Sequence, residues 1–135
     1  MNPTDRRQTR EIIQPDTMYK TPSYVHAIRA GNTIYLAGQV ARDGQGNVVG
    51  VSDVTAQARQ VYANIGKILK AAGADFSHIV KMTTYLVDRA DSAAVSAVRF
   101  EHLGNHRPPH TGLIVAGLGS PDLRLEVDVI AVLPD

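Results

Sequence analysis

The sequence predicts a single α+β domain, residues 1–135, in which two helices pack on one face of a mixed β-sheet. Three observations support this class: the chain has only 135 residues, one long segment carries an apolar stripe at helical spacing, and several short segments alternate between apolar and polar residues. The predicted order along the chain is β-β-(β)-α-β-α-β-β. Because two helices can cover only one face of a sheet of five or six strands, we expect the opposite face to be uncovered.

The chain begins with a polar segment that is followed by a β-hairpin. Residues 1–14 are predicted to be a flexible tail, since no apolar run follows their arginines as an export signal would require. Residues 24–30 and 33–38 are rich in β-formers, and the Gly31-Asn32 pair between them is typical of a tight hairpin turn. After a glycine-rich loop, residues 48 and 49 are a candidate short strand.

Two helices are predicted. The first is capped by Ser52 or Asp53. Its apolar stripe consists of Val54, Ala58, Val61, Ile65, Ile68, Leu69 and Ala72. The second helix is shorter and spans Ser92–Leu103, with Asp91 or Ser92 as its cap.

Three further strands are predicted at residues 78–87, 111–116 and 123–133. In the last of them, one face carries Leu125, Val127, Val129 and Ala131 and the other carries Arg124, Glu126 and Asp128. The uncovered face of the sheet would present Tyr35, Tyr85 and Ile130 among polar groups. A sheet face of that character usually binds a partner, so the sequence indicates an oligomer.

Composition excludes several classes of function. The net charge is +1 and the basic residues are scattered without aromatic residues among them, which argues against nucleic-acid binding. The chain has no cysteine, so it forms no disulfide and no thiolate site, and the cytoplasm is the expected location. No apolar run is long enough for a membrane span. His102, His106 and His110 are evenly spaced, but Gly104 and two prolines break any helix through them, so no metal site is predicted.

Five segments, in order, resemble the Rid (YjgF-like) family of enamine/imine deaminases. Residues 24–39 (YVHAIRAGNTIYLAGQ) are similar to the opening hairpin of that family, and residues 53–60 (DVTAQARQ) and 71–75 (AAGAD) resemble its first helix. Residues 79–88 (IVKMTTYLVD) and 125–131 (LEVDVIA) resemble its central and last strands. The resemblance runs in register from about residue 22 to residue 133.

The resemblance implies a chorismate-mutase-like fold that assembles as a homotrimer with a ligand cleft between each pair of subunits. It implies hydrolysis of small enamines and imines such as 2-aminoacrylate to a 2-keto acid and ammonia, without a cofactor. Older labels of the family imply work on RNA, which the scattered charge of this chain does not favour. The expected partners are therefore a small-molecule ligand and two further copies of the chain, with no nucleic acid and no membrane.

The chain departs from the family at one position of chemical importance. The family binds the substrate carboxylate with an arginine after a Pro-Ala pair, whereas this chain has Pro108-Pro109-His110. A histidine is mostly neutral at physiological pH and makes one hydrogen bond where arginine makes two. Three roles remain open for His110: it binds a different, uncharged ligand; it is protonated by a neighbouring carboxylate and still binds an acid; or it is structural in a cleft without catalysis.

Other candidate site residues follow from the resemblance. Glu126 corresponds to the family glutamate that positions the attacking water, although a solvated strand face is the alternative. Tyr24 corresponds to a tyrosine at the cleft edge, or else it is a hairpin core residue. Gly38 matches a ligand-contacting glycine, and Thr111 can donate a hydrogen bond from its hydroxyl or its backbone.

Two functions are therefore considered. The first is a cofactor-independent hydrolase or deaminase with Glu126 and His110 as catalytic residues and Tyr24, Gly38 and Thr111 as ligand-binding residues. Standard activity on 2-aminoacrylate is doubtful in this case, because the arginine is missing. The second is a small-metabolite-binding or regulatory trimer that has kept the cleft and lost catalysis.

Overall fold

The computed structural model describes residues 10–135 and shows one six-stranded sheet with two helices. The strands are β1 (Arg10–Ile13), β2 (Ala27–Ala30), β3 (Thr33–Leu36), β4 (Ile79–Leu86), β5 (His110–Ile114) and β6 (Leu125–Val132). The helices are α1 (Val54–Ala71) and α2 (Ser92–Leu103). The strand order is β1-β2-β3-β6-β4-β5, in which only the β4–β5 pair is parallel, so the predicted mixed sheet is confirmed.

The N-terminal end of the described chain is an ordered strand. The predicted tail of residues 1–14 is therefore wrong for its last part, because Arg10–Ile13 pairs antiparallel with β2 and Ile13 is buried in the core. Gln14 is also held, since its Oε1 accepts a hydrogen bond from the His26 backbone N–H at 2.9 Å. The remaining part of the predicted tail, residues 1–9, lies outside the described residues.

The predicted hairpin is confirmed. Strands β2 and β3 pair across Gly31-Asn32, and Gly31 has the positive φ of 61° that such a turn requires. Strand β2 begins at Ala27, three residues later than predicted. The candidate strand at residues 48 and 49 is reduced to a single bridge between Arg42 and Val48.

Both helices occupy the predicted segments. Asp53 caps α1, since its carboxylate accepts a hydrogen bond from the Ala56 N–H at 3.1 Å. The apolar stripe of α1 packs on the sheet and includes Ala58, Val61, Ile65, Ile68 and Leu69. The bounds of α2 are as predicted, but neither Asp91 nor Ser92 provides a side-chain cap. The Asp91 side chain instead pairs with Arg124, and its Oδ atoms accept from Nε at 3.0 Å and from Nη2 at 2.6 Å.

The helices cover one face of the sheet and leave the other open. Alternate residues of β6 are buried beneath the helices: Leu125, Val127, Val129 and Ala131. On the opposite face Tyr35 is 50% exposed, and Tyr85 and Ile130 are partly exposed beside it. The predicted uncovered face is confirmed. No helix in residues 10–135 is long and apolar enough to cross a membrane.

Candidate functional site

The predicted site residues Glu126 and Gly38 lie against each other. Glu126 lies on β6, and Gly38 lies in the segment after β3, where the next residue bridges to β6 through a Gln39–Val127 pair. A Cβ placed on Gly38 would lie only 2.6 Å from Glu126 Oε2. A side chain at position 38 would therefore force the Glu126 carboxylate to move, whereas glycine leaves room for it where it lies.

Tyr19 is within electrostatic reach of this carboxylate, and Tyr24 is a neighbour of Tyr19, since both rings contact His26. Tyr24, at the candidate cleft edge, is 46% exposed and is not a core residue. Burial raises the pKa of Tyr19 to about 12, and its neighbours Tyr24 and Glu126 add to the increase. Although Tyr24 is near, the buried Tyr19 hydroxyl forms no hydrogen bond of normal geometry within residues 10–135. We refer to Glu126, Gly38, Tyr19 and Tyr24 as the Glu126 site.

The environment of Glu126 favours proton transfer. Partial burial raises the pKa of the Glu126 carboxyl above its usual range, and the charge of Asp128 adds to this increase. Asp128 is fixed two residues along β6 because its Oδ2 accepts a hydrogen bond from the Tyr85 hydroxyl at 2.9 Å. A carboxylate with a raised pKa accepts a proton from water more readily than an ordinary glutamate does.

His110 lies in a separate cleft between β5 and α2. Its Nε2 is 2.8 Å from the Thr84 hydroxyl and 2.8 Å from Nη1 of Arg99 on α2. Partial burial lowers the pKa of His110, and the cations Arg99 and Lys81 lower it further. His110 is therefore neutral at physiological pH. This direction opposes the hypothesis that a neighbouring carboxylate keeps His110 protonated.

The cleft at His110 has a volume of about 370 Å³ and is lined by residues of β4, α2 and β5 and by Arg89 just before α2. Its polar lining consists of Thr84, Arg89, Ser92, Ser96, Arg99 and His110. Apolar side chains of β4, α2 and β5 form the rest of the wall. We refer to this space as the His110 cleft.

The two catalytic candidates do not meet within one chain. Adjacent strand residues point to opposite faces of a sheet. Thr84 is buried beneath the helices and contacts His110, whereas its neighbour Tyr85 pairs with Glu126 on the open face. The Glu126 site and the His110 cleft therefore belong to opposite faces of the same sheet.

Thr111 is also separated from the His110 cleft. It follows His110 on β5 and points to the open face, where its hydroxyl accepts a hydrogen bond from Lys81 Nζ at 2.8 Å. The structure thus places Gly38 against Glu126, with Tyr24 near them only through Tyr19, and places His110 and Thr111 elsewhere.

The sequence reasoning did not identify Arg99, which contacts His110. A signal for it exists, because Ser92, Ser96 and Arg99 have the i, i+4, i+7 spacing of one helix face. This polar stripe indicates a cleft only when β5 is known to lie against the same face of α2.

The three evenly spaced histidines have unrelated surroundings. His102 stacks on Tyr62 with ring centroids 5.2 Å apart, and His106 Nε2 is 2.7 Å from the Ile79 carbonyl oxygen. His110 contacts Thr84 and Arg99 instead. Among the residues that the structure describes, no group of three or more histidine or acidic side chains is arranged to hold a metal ion.

Comparison with known proteins identifies the family. The family model described as endoribonuclease L-PSP matches residues 15–133. The chain belongs to this family. The resemblance to the Rid proteins is thereby confirmed, since the structure of RidA from a Psychrobacter species has a TM-score of 0.84 and 29% identity and covers 91% of this chain and 99% of its own.

Relatives of the endoribonuclease L-PSP family include named deaminases. The 2-iminobutanoate/2-iminopropanoate deaminase of Capra hircus is 37% identical over 109 residues, which is 81% of this chain and 79% of that protein. A crystal structure of TdcF from E. coli with bound serine has a TM-score of 0.82 and 29% identity and covers 92% of this chain and 99% of its own. Such likeness over nearly the whole chain confirms the predicted α+β, chorismate-mutase-like fold.

Proposed function

We propose that this protein is a cofactor-independent hydrolase of the deaminase type that converts small enamines and imines to keto compounds and ammonia. It acts as a homotrimer in the cytoplasm, with ligand clefts between subunits. The similarity to the 2-iminobutanoate/2-iminopropanoate deaminases supports the reaction class. The cysteine-free sequence is consistent with a reducing compartment.

The observation that carries the proposal is the placement of Glu126. Its carboxylate lies against Gly38, where a Cβ would come within 2.6 Å of it, and its pKa is raised by partial burial and by Asp128. Tyr19 is within electrostatic reach of Glu126, and Tyr24 is a neighbour of Tyr19. This arrangement is suited to hold a water molecule and to remove its proton.

The proposed reaction uses these groups in a simple order. Glu126 accepts a proton from water while the oxygen attacks the imine carbon. Glu126 passes this proton to the nitrogen, which gives a carbinolamine. Glu126 then transfers the proton of the carbinolamine hydroxyl to the same nitrogen, the C–N bond breaks, and ammonia leaves as the carbonyl forms. Imine and water are converted to a keto compound and ammonia, and Glu126 returns to its carboxylate form.

A second copy of the chain is needed to complete the site. Glu126 lies on the open face of the sheet, whereas the His110 cleft opens on the helix side of β5. One ligand can contact both only if the open face of one subunit meets the β5 edge of another. The exposed apolar residues Tyr35 and Leu113 on the open face support such an interface.

The proposal predicts that the native protein forms keto acid from imino acids that are generated in situ, such as 2-iminobutanoate. Turnover of 2-aminoacrylate is expected to be weaker than in a relative that has the family arginine. Keto acid and ammonia should appear faster than in a protein-free reaction, and sedimentation should show a trimer. Ligand binding without any turnover would refute the hydrolase and would support the alternative, a small-metabolite-binding or regulatory trimer.

The pH dependence of turnover is a further prediction. Glu126 must be ionised to act as a base, so the rate should fall as the pH drops through its raised pKa. Asp128→Asn removes one cause of that raised pKa while the amide oxygen can still accept from Tyr85, so the acidic limb should move to lower pH. The check is the pH profile of kcat/KM.

The exposed Asp122, which precedes β6, provides a control for this profile. Asp122→Asn changes the net charge by the same amount and should leave the acidic limb in place. An acidic limb that stays fixed in Asp128→Asn would contradict the role of Glu126 as the titrating base.

A further inference from the structure

The His110 cleft contains a permanent cation in direct contact with the residue that replaces the family arginine. Nη1 of Arg99 is 2.8 Å from His110 Nε2. A guanidinium has donors only, so His110 Nε2 must accept this hydrogen bond and its proton must be on Nδ1. The Thr84 hydroxyl is 2.8 Å from the same nitrogen and, with Nε2 unprotonated, can only donate to it, so the two donors share one lone pair. The contact therefore pairs a neutral histidine with a charged arginine.

The lining of the cleft favours an anion. Two arginines, Arg89 and Arg99, contribute positive charge, and the hydroxyls of Ser92 and Ser96 lie along the same helix. The residues that line this cleft, all of them within the described part of the chain, include no carboxylate. The positive charge of the two arginines is therefore not offset by any acidic residue of the lining.

We propose that Arg99 binds the carboxylate of the substrate and that neutral His110 positions the Arg99 guanidinium. One N–H of the guanidinium is directed to His110, and the other donors remain for a carboxylate. The cation has thus moved from the strand β5 to the helix α2. The inference rests on the proposed function, since it concerns the same cleft and names its substrate class as small 2-imino acids. The volume of about 370 Å³ and the apolar wall suit a short aliphatic acid.

Binding of a stable product analogue tests this inference without any need for turnover. The probes are pyruvate and its uncharged methyl ester, measured by ligand-detected NMR on the assembled native protein. Arg99→Gln should weaken pyruvate binding roughly 10- to 100-fold, the effect of losing a charged hydrogen-bonded pair, and should leave methyl pyruvate binding unchanged. Arg99→Lys keeps the charge without the planar fork and should show an intermediate loss.

Two further variants make the outcome specific. Arg59→Gln removes an exposed guanidinium from α1, remote from the cleft lining, and should bind pyruvate as the native protein does. In the double variant Arg99→Gln/His110→Arg, an arginine returns to β5 and pyruvate binding should recover most of the lost affinity. Circular dichroism and sedimentation of the single variant, compared with the native protein, check that it is folded and assembled.

The outcomes separate this inference from the proposed function. Pyruvate binding that is equal in native protein and Arg99→Gln, or equally weakened in Arg59→Gln, overturns the role of Arg99 even if the native protein turns over imines. Arg99-dependent binding of pyruvate, combined with no turnover of any imino acid, supports the anchor and overturns the hydrolase.

Discussion

Glu126→Gln is expected to lower kcat for imino-acid hydrolysis by about 10²–10⁴-fold, the usual contribution of a positioned general base. Glutamine has nearly the same shape as glutamate, so it fits against Gly38 without the collision that a larger residue at position 38 would cause. It cannot accept a proton from water. The measurement is the initial rate of keto-acid formation, with sedimentation to show that the trimer persists.

Asp128→Asn is the matched control for this result. Asp128 lies on the same face of β6 as Glu126, and its substitution also removes a carboxylate. The Asp128→Asn variant should nevertheless retain nearly full activity on the plateau of its pH profile. The general-base role would be refuted if Glu126→Gln kept a rate within threefold of the native protein. Unchanged pyruvate binding in Glu126→Gln would show that the loss is chemical.

Asp91→Ala is expected to lower the free energy of unfolding by about 3 kcal/mol. Removing one partner of a buried ion pair typically costs about 3–5 kcal/mol. The Asp91 side chain is 6% exposed and accepts hydrogen bonds from both Nε and Nη2 of Arg124. The Arg124 side chain is 30% exposed, so water can solvate its guanidinium in the variant. We therefore expect the lower end of the range, measured by urea unfolding at one fixed protein concentration.

Glu101→Ala provides the comparison for Asp91→Ala. Glu101 pairs with Arg59 at 3.6 Å, with side chains that are 52% and 60% exposed. Exposed pairs of this kind contribute about 0–1 kcal/mol. If the two variants lost the same free energy of unfolding, the Asp91–Arg124 pair would contribute no more to stability than an exposed ion pair does.

The fold was predictable where burial is one-sided and periodic. In β6 every second residue is buried, so the alternation could be read directly from the sequence. In β1 only Ile13 is buried, because the strand lies at the edge of the sheet. The other residues of β1 are exposed, so its sequence could not be distinguished from that of a flexible tail. Asp91 is a helix-cap residue by type, and only the tertiary position of Arg124 explains why it forms an ion pair instead.

The candidate site was predictable in part for a related reason. Glu126, Gly38 and Tyr24 were predicted because each matches a family position, and the structure places Gly38 against the Glu126 carboxylate. Arg99 could not be found in the same way. It lies on a helix, away from the matched strand, and its importance depends on the distance of 2.8 Å to His110 rather than on any spacing in the chain.

The position of β6 has a consequence for how the protein is made. This strand lies between β3 and β4 in the middle of the sheet, yet it is the last element of the chain. Its pairing of Thr33 with Val132 joins nearly opposite ends of the sequence, and such distant pairing slows folding. A ribosome that has not finished the last strand therefore holds two separate β units with unpaired edges. Folding of the complete sheet has to wait until β6 has been made, and during that interval the chain is at its most prone to aggregation.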